Sequence, residues 1–445
     1  MASTHFVDFS ASTPIVASWL NDVNDATYGQ SGGSAVALQV VTSIAGLRGL
    51  AKTKSPNALV TGYYTARDGG GGVYVLDPAD TTSADNGGTT IVAADGGRWK
   101  LADTTVIRAA QFGVVFDGFT DNTVTFQRLL NYLSTNSARV IFSPGIVVIS
   151  GVVTKDALKN CVFEGAGGGF LGGNLGTILN FTGSGSNPLV LTNSVGLTFR
   201  NISFAYGSTT FSGSLCDFSC TTPASLTNLN FYDCNFLQAA ASDTYSAFSL
   251  VRLKNVTRVS FMNCVFQKAT NAVSGNEGAY NVLSNNSGQV SFFGCEFTLC
   301  TNSIAYPGSI WHFRDCNFEP AAGFAPSMIY NAANTYTNNL VIEGCAFVDS
   351  NAAGTWINLL SVETVTISNC IFGGNTANNA ISFSGGNAIN VNGNLFDHCL
   401  TGLNFNSTFV HDSGTVTGNH FFGNTTAING SGNTTNMLIN YNKLT

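Results

Sequence analysis

In the second half of the chain, apolar and polar positions fall into one short phrase that returns eight times: apolar-x-apolar-x-(Gly/Asn/Asp)-(Cys/Asn)-x-Phe. The copies end at Phe236, Phe266, Phe297, Phe318, Phe347, Phe372, Phe396 and Phe421. LTFRNISF, ending at Phe204, is a forerunner, and MLINYNKL, ending at Leu444, is a looser ninth copy. Successive Phe positions are 30, 31, 21, 29, 25, 24 and 25 residues apart. A period of this size marks one supersecondary unit stacked on itself. The opening alternation predicts a strand with one buried face. Asp233, Asn263, Gly294, Asp315, Gly344, Asn369, Gly393 and Gly418 follow it. These residue types tolerate left-handed backbone angles, so the chain should turn there. The next residue, and the Phe two further on, then point inward. TWINLLSV (355–362), NAISFSG (379–385) and TGLNFNS (401–407) are second-strand candidates between phrases. Two or three short strands per ~25 residues, with no helical pattern between them, predict one coil of a parallel β-helix. Its coils would sit ~4.8 Å apart.

Cys161, Cys234, Cys264, Cys295, Cys316, Cys345 and Cys370 stand two residues before a Phe, and Asn394, Asn419 and Asn442 take that place later. Stacking makes this column an internal ladder, Cys on Cys and then Asn on Asn, with each amide able to bond the next. Disulfides are the alternative. Against them stand the odd total of 11 cysteines and the lack of a partner column. Free Cys is also a good small core residue. No Cys-x-x-Cys or paired Cys/His spacing occurs, so neither a metal site nor a cofactor is expected.

The first 150 residues read differently. Residues 1–40 hold a short amphipathic helix from Pro14 toward Gly29, then a hinge, SGGS (31–34). Residues 41–104 have β-type composition, with GYYTARDGGGGVYVLD (62–77) and DNGGTTIVAADGGRWKL (85–101). No Gly-Lys-Ser/Thr follows the glycines at 69–72, so they read as a turn rather than a phosphate loop. The β-helix would occupy 105–445. It opens with a turn at Asp117-Gly118, an N-cap at Asp121, and a helix carrying Phe126, Leu129, Leu130 and Leu133 at helical spacing. Laid over the first coil, that helix would cover an open sheet edge. A catalytic pair is the alternative for Asp117 and Asp121. ARVIFSPGIVVISG (138–151) follows as strands broken at Pro144-Gly145.

Composition narrows the partners. Charged residues are 10% of the 445, against about 25% in an average domain. The surface must be largely Asn, Ser, Thr and Gly, which suits neutral partners, sugars above all. A net charge of −7 without a basic cluster argues against nucleic acid. No apolar stretch is long enough for a membrane span, and no signal-peptide pattern opens the chain. The expectation is a protein made in a reducing cytosol.

FGVVFDGFTDNTVTFQRLLNYL followed by VIFSPGIVVISG resembles the opening segment of pectate-lyase-like right-handed β-helices. That family usually shows Gly-Asp-Gly-x-x-Asp-Asp, where this chain has Phe116-Asp117-Gly118-Phe119-Thr120-Asp121-Asn122. In front of it, SWLNDVNDATYG and the glycine-rich block of 62–101 resemble the N-terminal parts of bacteriophage tailspikes. The resemblance implies a homotrimeric virion spike, assembled in the host cytoplasm. Residues 1–104 would dock on tail or portal-adaptor proteins, and the β-helix would bind or cleave a host surface polysaccharide. A non-catalytic spike or fibre is the alternative. With the repeats running to Asn442, trimer contacts would lie along the β-helix or in the N-terminal part.

Glycan cleavage needs paired carboxylates or a base with Arg nearby. Glu296 precedes one repeat Phe and Glu319 follows the next, so both should face outward on neighbouring coils. Two residues along and one coil up puts their backbones roughly 8 Å apart, and the 21-residue coil joining them has no room for a long covering loop. A pair of solvated acids is the alternative. Arg314 and Glu343 share a column and suggest a salt bridge along the stack. Tyr232 should stand in that column two coils down, and His312 should share its face. These four are candidate sugar-binding residues. Trp311 has inward register. Asp243, Tyr245, Glu277 and Tyr280 fall in the longer insertions, where loops on a rigid solenoid could carry function.

Overall fold

The computed structural model describes residues 38–445, apart from 169–175, 184–186, 208–212, 222–224, 239–248, 268–270, 275–287, 301, 306, 321–326, 332–336, 349–352, 375–376, 407–410, 431–435 and 441. The helix expected after Pro14 and the insertion residues Asp243, Tyr245, Glu277 and Tyr280 lie outside the described residues. The chain divides into two compact units, with the boundary between Asp103 and Thr104.

The first unit holds a five-stranded sheet in the order Gln39–Val41, Asn57–Val60, Gly72–Asp77, Arg98–Leu101, Thr90–Val92. The first pair is parallel and the others are antiparallel. A six-residue helix, Ile44–Gly49, joins the parallel pair, with Ser43 as its N-cap; the sequence reading missed it. It is short, and its apolar contribution is only Ile44 and Leu47. Strand Gln39–Val41 also crosses the boundary expected at residue 40. Of the glycines at 69–72, Gly69 takes a positive φ of 87° beside a turn, while Gly72 already opens strand Gly72–Asp77. Asp68 organises that turn by accepting the backbone N–H groups of Tyr63, Tyr64, Thr65 and Gly70.

The second unit is a parallel β-helix of three long sheets with 13, 13 and 11 strands. Sheet I runs from Val106–Arg108 to Met437–Asn440, sheet II from Asp117–Asp121 to Lys443–Leu444, and sheet III from Val153–Asp156 to Thr426–Asn429. One coil visits them in turn, as in Gln289–Phe293, Glu296–Cys300 and Asn302–Ala305. Parallel strands suit this path because each coil returns in the same direction one level up. The turn from sheet I to sheet II falls where the phrase predicts it. Asn201, Asp233, Asn263, Asp315 and Asn369 have φ between 52° and 55°, and Gly294, Gly344, Gly393 and Gly418 between 59° and 70°.

The column after the turn is internal. Cys234, Cys264, Cys295, Cys316, Cys345 and Cys370 are buried and free. Cys264 and Cys295 donate weakly to carbonyls of the preceding coil, Phe231 and Phe261. The ladder then changes residue. Asn419 Oδ1 accepts from the backbone N–H and the amide of Asn394 at 2.9 and 3.0 Å, and Asn442 repeats this on Asn419 at 3.1 and 3.0 Å. Cys161 is a correction. It precedes Val162–Glu164, a sheet I strand, and so lies at another corner. Its Phe163 stacks on Phe199, not on the repeat Phe column. The spacing Cys-x-Phe recurs there with a different strand following it.

Two aromatic stacks fill the interior. Phe204, Phe236, Phe266, Phe297, Phe318, Phe347, Phe372, Phe396 and Phe421 lie 4.6 to 5.1 Å apart, within 8° of parallel. Phe199, Phe231, Phe261, Phe292 and Phe313 form the second on sheet I. The coil repeat sets ring spacing near the strand spacing of ~4.8 Å. Helix Thr123–Leu133 closes the first end and buries Phe126, Leu129, Leu130 and Leu133. Its N-cap is Asn122 rather than Asp121, because Asn122 is tied to the backbone of Val115 and Val148. Asp121 accepts from the N–H and hydroxyl of Thr123 and from Ser150.

Candidate functional site

Asp117 and Asp121 are structural. Asp117 closes its own turn on the N–H groups of Phe119 and Thr120. Partial burial alone would raise the Asp121 carboxyl, but hydrogen bonds from Thr123 and Ser150 outweigh it and hold it at about 2.

Glu296 and Glu319 occupy the outward register expected of them. On sheet II, Glu296 pairs with Asn317 and Thr298 with Glu319, so the carboxylates are one coil and two residues apart. Their flanking Phe297 and Phe318 point into the core and fix the register. Glu296 is exposed and Glu319 half-buried. Among the described residues neither carboxylate has a hydrogen-bond or ion-pair partner. The arrangement is an open shelf that can accept hydroxyl donors along the axis.

Sheet I carries the other candidates. Arg314 pairs with Glu343, its Nε lying 3.7 Å from a Glu343 oxygen. Arg314 is half exposed and also approaches Asp315 at 3.9 Å. Such a surface pair is worth at most ~1 kcal/mol. His312 shares the face, with its ring edge-on to Phe293 at 5.7 Å, and its buried Nε2 has no hydrogen-bond partner among the described residues. Trp311 points inward, fully buried. Tyr232 needs correcting. The column runs Tyr232, Met262, Phe293, Arg314, so it stands three coils down, not two. Its ring partner is Arg200, whose guanidinium lies 4.8 Å from the ring centre. The coils therefore do not join Tyr232 to Arg314 in one site.

One polar network escaped the sequence reading. On sheet III, Asp217 lies at an outward register yet is buried, and accepts from Asn187 at 2.7 Å and from Arg252 at 3.1 Å. Among the described residues its second oxygen and the Arg252 Nε have no hydrogen-bond partner. The signal was a lone Asp inside the apolar strand SLCDFS. Toward the last coils, outer rows on sheets I and III become uncharged ladders. Thr417 donates to Asn392, Thr415 to Asn390, and Asn429 to Asn404. Among the described residues, no group of three or more His, Cys, Asp or Glu is arranged to hold a metal ion.

This architecture is a small β-sheet domain followed by a three-sheet parallel β-helix, some of whose outer rows are neutral hydrogen-bonding ladders. Residues 40–104 match the family described as the phage tail protein small four-stranded beta-sheet domain. The Mu-like prophage FluMu defective tail fiber protein of Haemophilus influenzae is 34% identical over 103 residues, 23% of this chain and 16% of that protein. The chain thus spans under a fifth of that relative's length. Among solved structures, the tailspike protein gp49 of Acinetobacter baumannii bacteriophage Fri1, a capsular polysaccharide depolymerase, superposes with a TM-score of 0.58 at 15% identity. The match covers 92% of this chain and 75% of that one. Tailspike protein 2 of Escherichia coli O157:H7 bacteriophage CAB120 gives 0.58 at 13% identity, over 90% and 54%. At such identities the likeness establishes the fold. It bears out the parallel β-helix expected from the repeats, while the match over 40–104 bears out the phage-tail resemblance of that segment.

Proposed function

We propose that this chain is a bacteriophage tailspike that recognises a host surface polysaccharide and cleaves it on sheet II. The observation that carries the reading is the joining of a phage-tail β-sheet domain to a parallel β-helix whose outer rows are rich in Asn, Thr and Ser. Neutral hydroxyls and amides at a fixed repeat suit a sugar polymer better than a charged partner. The spike works as a homotrimer on the virion tail, is assembled in the host cytoplasm, and docks on tail or portal-adaptor proteins through residues 1–104. Exposed apolar side chains on sheet I support side-by-side packing, among them Met262, Ile310 and Leu438.

For cleavage, Glu296 and Glu319 act as an acid and base pair on a glycosidic bond laid along the axis. One delivers a proton to the leaving oxygen and the other takes a proton from the attacking water. Arg314, Glu343 and His312 would contact flanking sugar units on sheet I, and Tyr232 a more distant one. The test is a spot of purified protein on a lawn of adsorbing, capsulated host. A translucent halo is expected, and Glu296→Gln and Glu319→Gln should each cut polysaccharide cleavage at least ~100-fold while binding persists. Equal clearing by both variants would move the chemistry elsewhere. One observation favours binding without cleavage: among the described residues no third group orients either carboxylate. A wild-type protein that binds polysaccharide and clears none would select that reading.

A further inference from the structure

Two outward rows run along sheet II beyond the Glu296–Glu319 pair. One continues through Asn317, Ala346, Ile371 and Leu395 to His420. The other passes Gly373 and Asp397 to Phe422. Phe422 differs from its neighbour in the sequence. The Phe421 ring is buried in the aromatic stack, whereas Phe422 is 45% exposed. Two imidazoles approach its ring edge-on, His398 at 5.2 Å and His420 at 6.1 Å.

The coils hold these groups in place. His398 Nδ1 lies 2.5 Å from Asp397 Oδ1. Its backbone sits at φ 53°, and its ring occupies the space over Gly423, where an added Cβ would come within 2.9 Å of it. Beneath it, Asn424 accepts the Cys399 N–H and donates to the Phe396 carbonyl, fixing the corner. His420 Nε2 is bonded to the Thr445 hydroxyl at 2.8 Å. The result is an aromatic face ringed by a carboxylate, two imidazoles and a hydroxyl. An apolar contact between copies of the chain would not need that polar rim. A pyranose does, because it has an apolar C–H face and hydroxyls around its edge.

We propose that Phe422, with Asp397, His398 and His420, forms a sugar-ring subsite that holds the same polysaccharide at a distance from Glu296 and Glu319. Phe422 stacks on a sugar face, while Asp397 and the imidazoles bond its hydroxyls. Four coils separate Glu319 from Phe422, about 19 Å along the axis. One extended chain on sheet II would reach both sites, so the subsite sets a minimum ligand length. The inference rests on reading sheet II as the glycan-binding face.

The experiment measures binding of polysaccharide extracted from an adsorbing host strain, and of short fragments of it, to the full-length protein. Phe422→Ala should weaken binding of the long polymer about tenfold, and Phe422→Trp should restore it. Fragments too short to reach across four coils should bind wild type and Phe422→Ala alike. The side chain is exposed, so melting temperature and oligomeric state should not move. Unchanged long-polymer binding by Phe422→Ala would overturn the subsite while leaving the glycan reading intact. Lost binding accompanied by dissociation of the oligomer would overturn it in favour of a contact between copies. Failure of wild type to bind polysaccharide from any adsorbing strain would instead remove the glycan reading itself, and the subsite with it.

Discussion

In the small sheet domain many polar contacts centre on ionised carboxylates, each held by a cation or by backbone N–H groups. Arg48 grips Asp85 with two bonds at 3.0 and 3.1 Å, Lys100 pairs with Asp80, and Asp95 accepts the Lys52 N–H. In the coils they are mostly neutral and repeat: Asn on Asn inside, Thr on Asn outside, ring on ring through the core. The reason is geometric. A parallel stack places identical positions one above another, so a charged residue meets its like charge unless the partner column alternates. An amide or a phenyl ring stacks on its own kind without that cost. A globular sheet has no such repeat, and each carboxylate can find its own cation or backbone N–H. Arg314 and Glu343 show what the stack permits, a charge answered by its opposite one coil up.

The sharpest way to break this contrast is to remove one rung. Phe297 lies between Phe266 at 4.8 Å and Phe318 at 4.7 Å, fully buried. Phe297→Ala should cost about 3–5 kcal/mol, read as a lowered denaturant midpoint of the coils. A loss under ~1 kcal/mol would mean the stack is not what holds the core.

Acid should separate the two regions next. Asp68 is held below its ordinary range: burial opposes this, and four backbone N–H groups outweigh it. Asp85 follows the same pattern, with Arg48 as the largest lowering contact, and Asp95 is lowered first by the Lys52 N–H. A carboxylate whose folded pKa is depressed stabilises the fold above its unfolded value of ~3.9 and loses that contribution as pH falls below it. Between pH ~4 and ~2, amide exchange across 40–104 should therefore rise before exchange across the Phe and Asn ladders. The reverse order would show that ionic contacts do not distinguish the regions.

The smallest effect should come from the exposed pair. Arg314→Ala should change unfolding free energy by no more than ~1 kcal/mol, because both partners are solvated. A larger destabilisation would mean the pair supports the stack rather than decorating it.

Much of this was legible in the chain. The turn residues, the Cys and Asn column and the inward Phe are all local consequences of a strand alternation followed by a left-handed turn, and each was placed from sequence. The outward register of Glu296 and Glu319 followed from the same phrase. Errors arose where identity in the local phrase hid a different corner or a different coil. Cys161-x-Phe163 has the repeat spacing but leads into sheet I, and Tyr232 lies a coil further from Arg314 than counted. Helix Ile44–Gly49 left almost no periodicity to read.

The sequence by itself determined the coil, since a period-two strand and a turn residue are properties of a few consecutive residues. Only the tertiary structure decided which outward side chains meet. Coil lengths vary, so sequence distance does not give spatial neighbours until strand pairing fixes the register. That pairing sets Arg200 over Tyr232, joins Arg252 to Asp217, and gathers His398, His420 and Phe422 at one exposed corner.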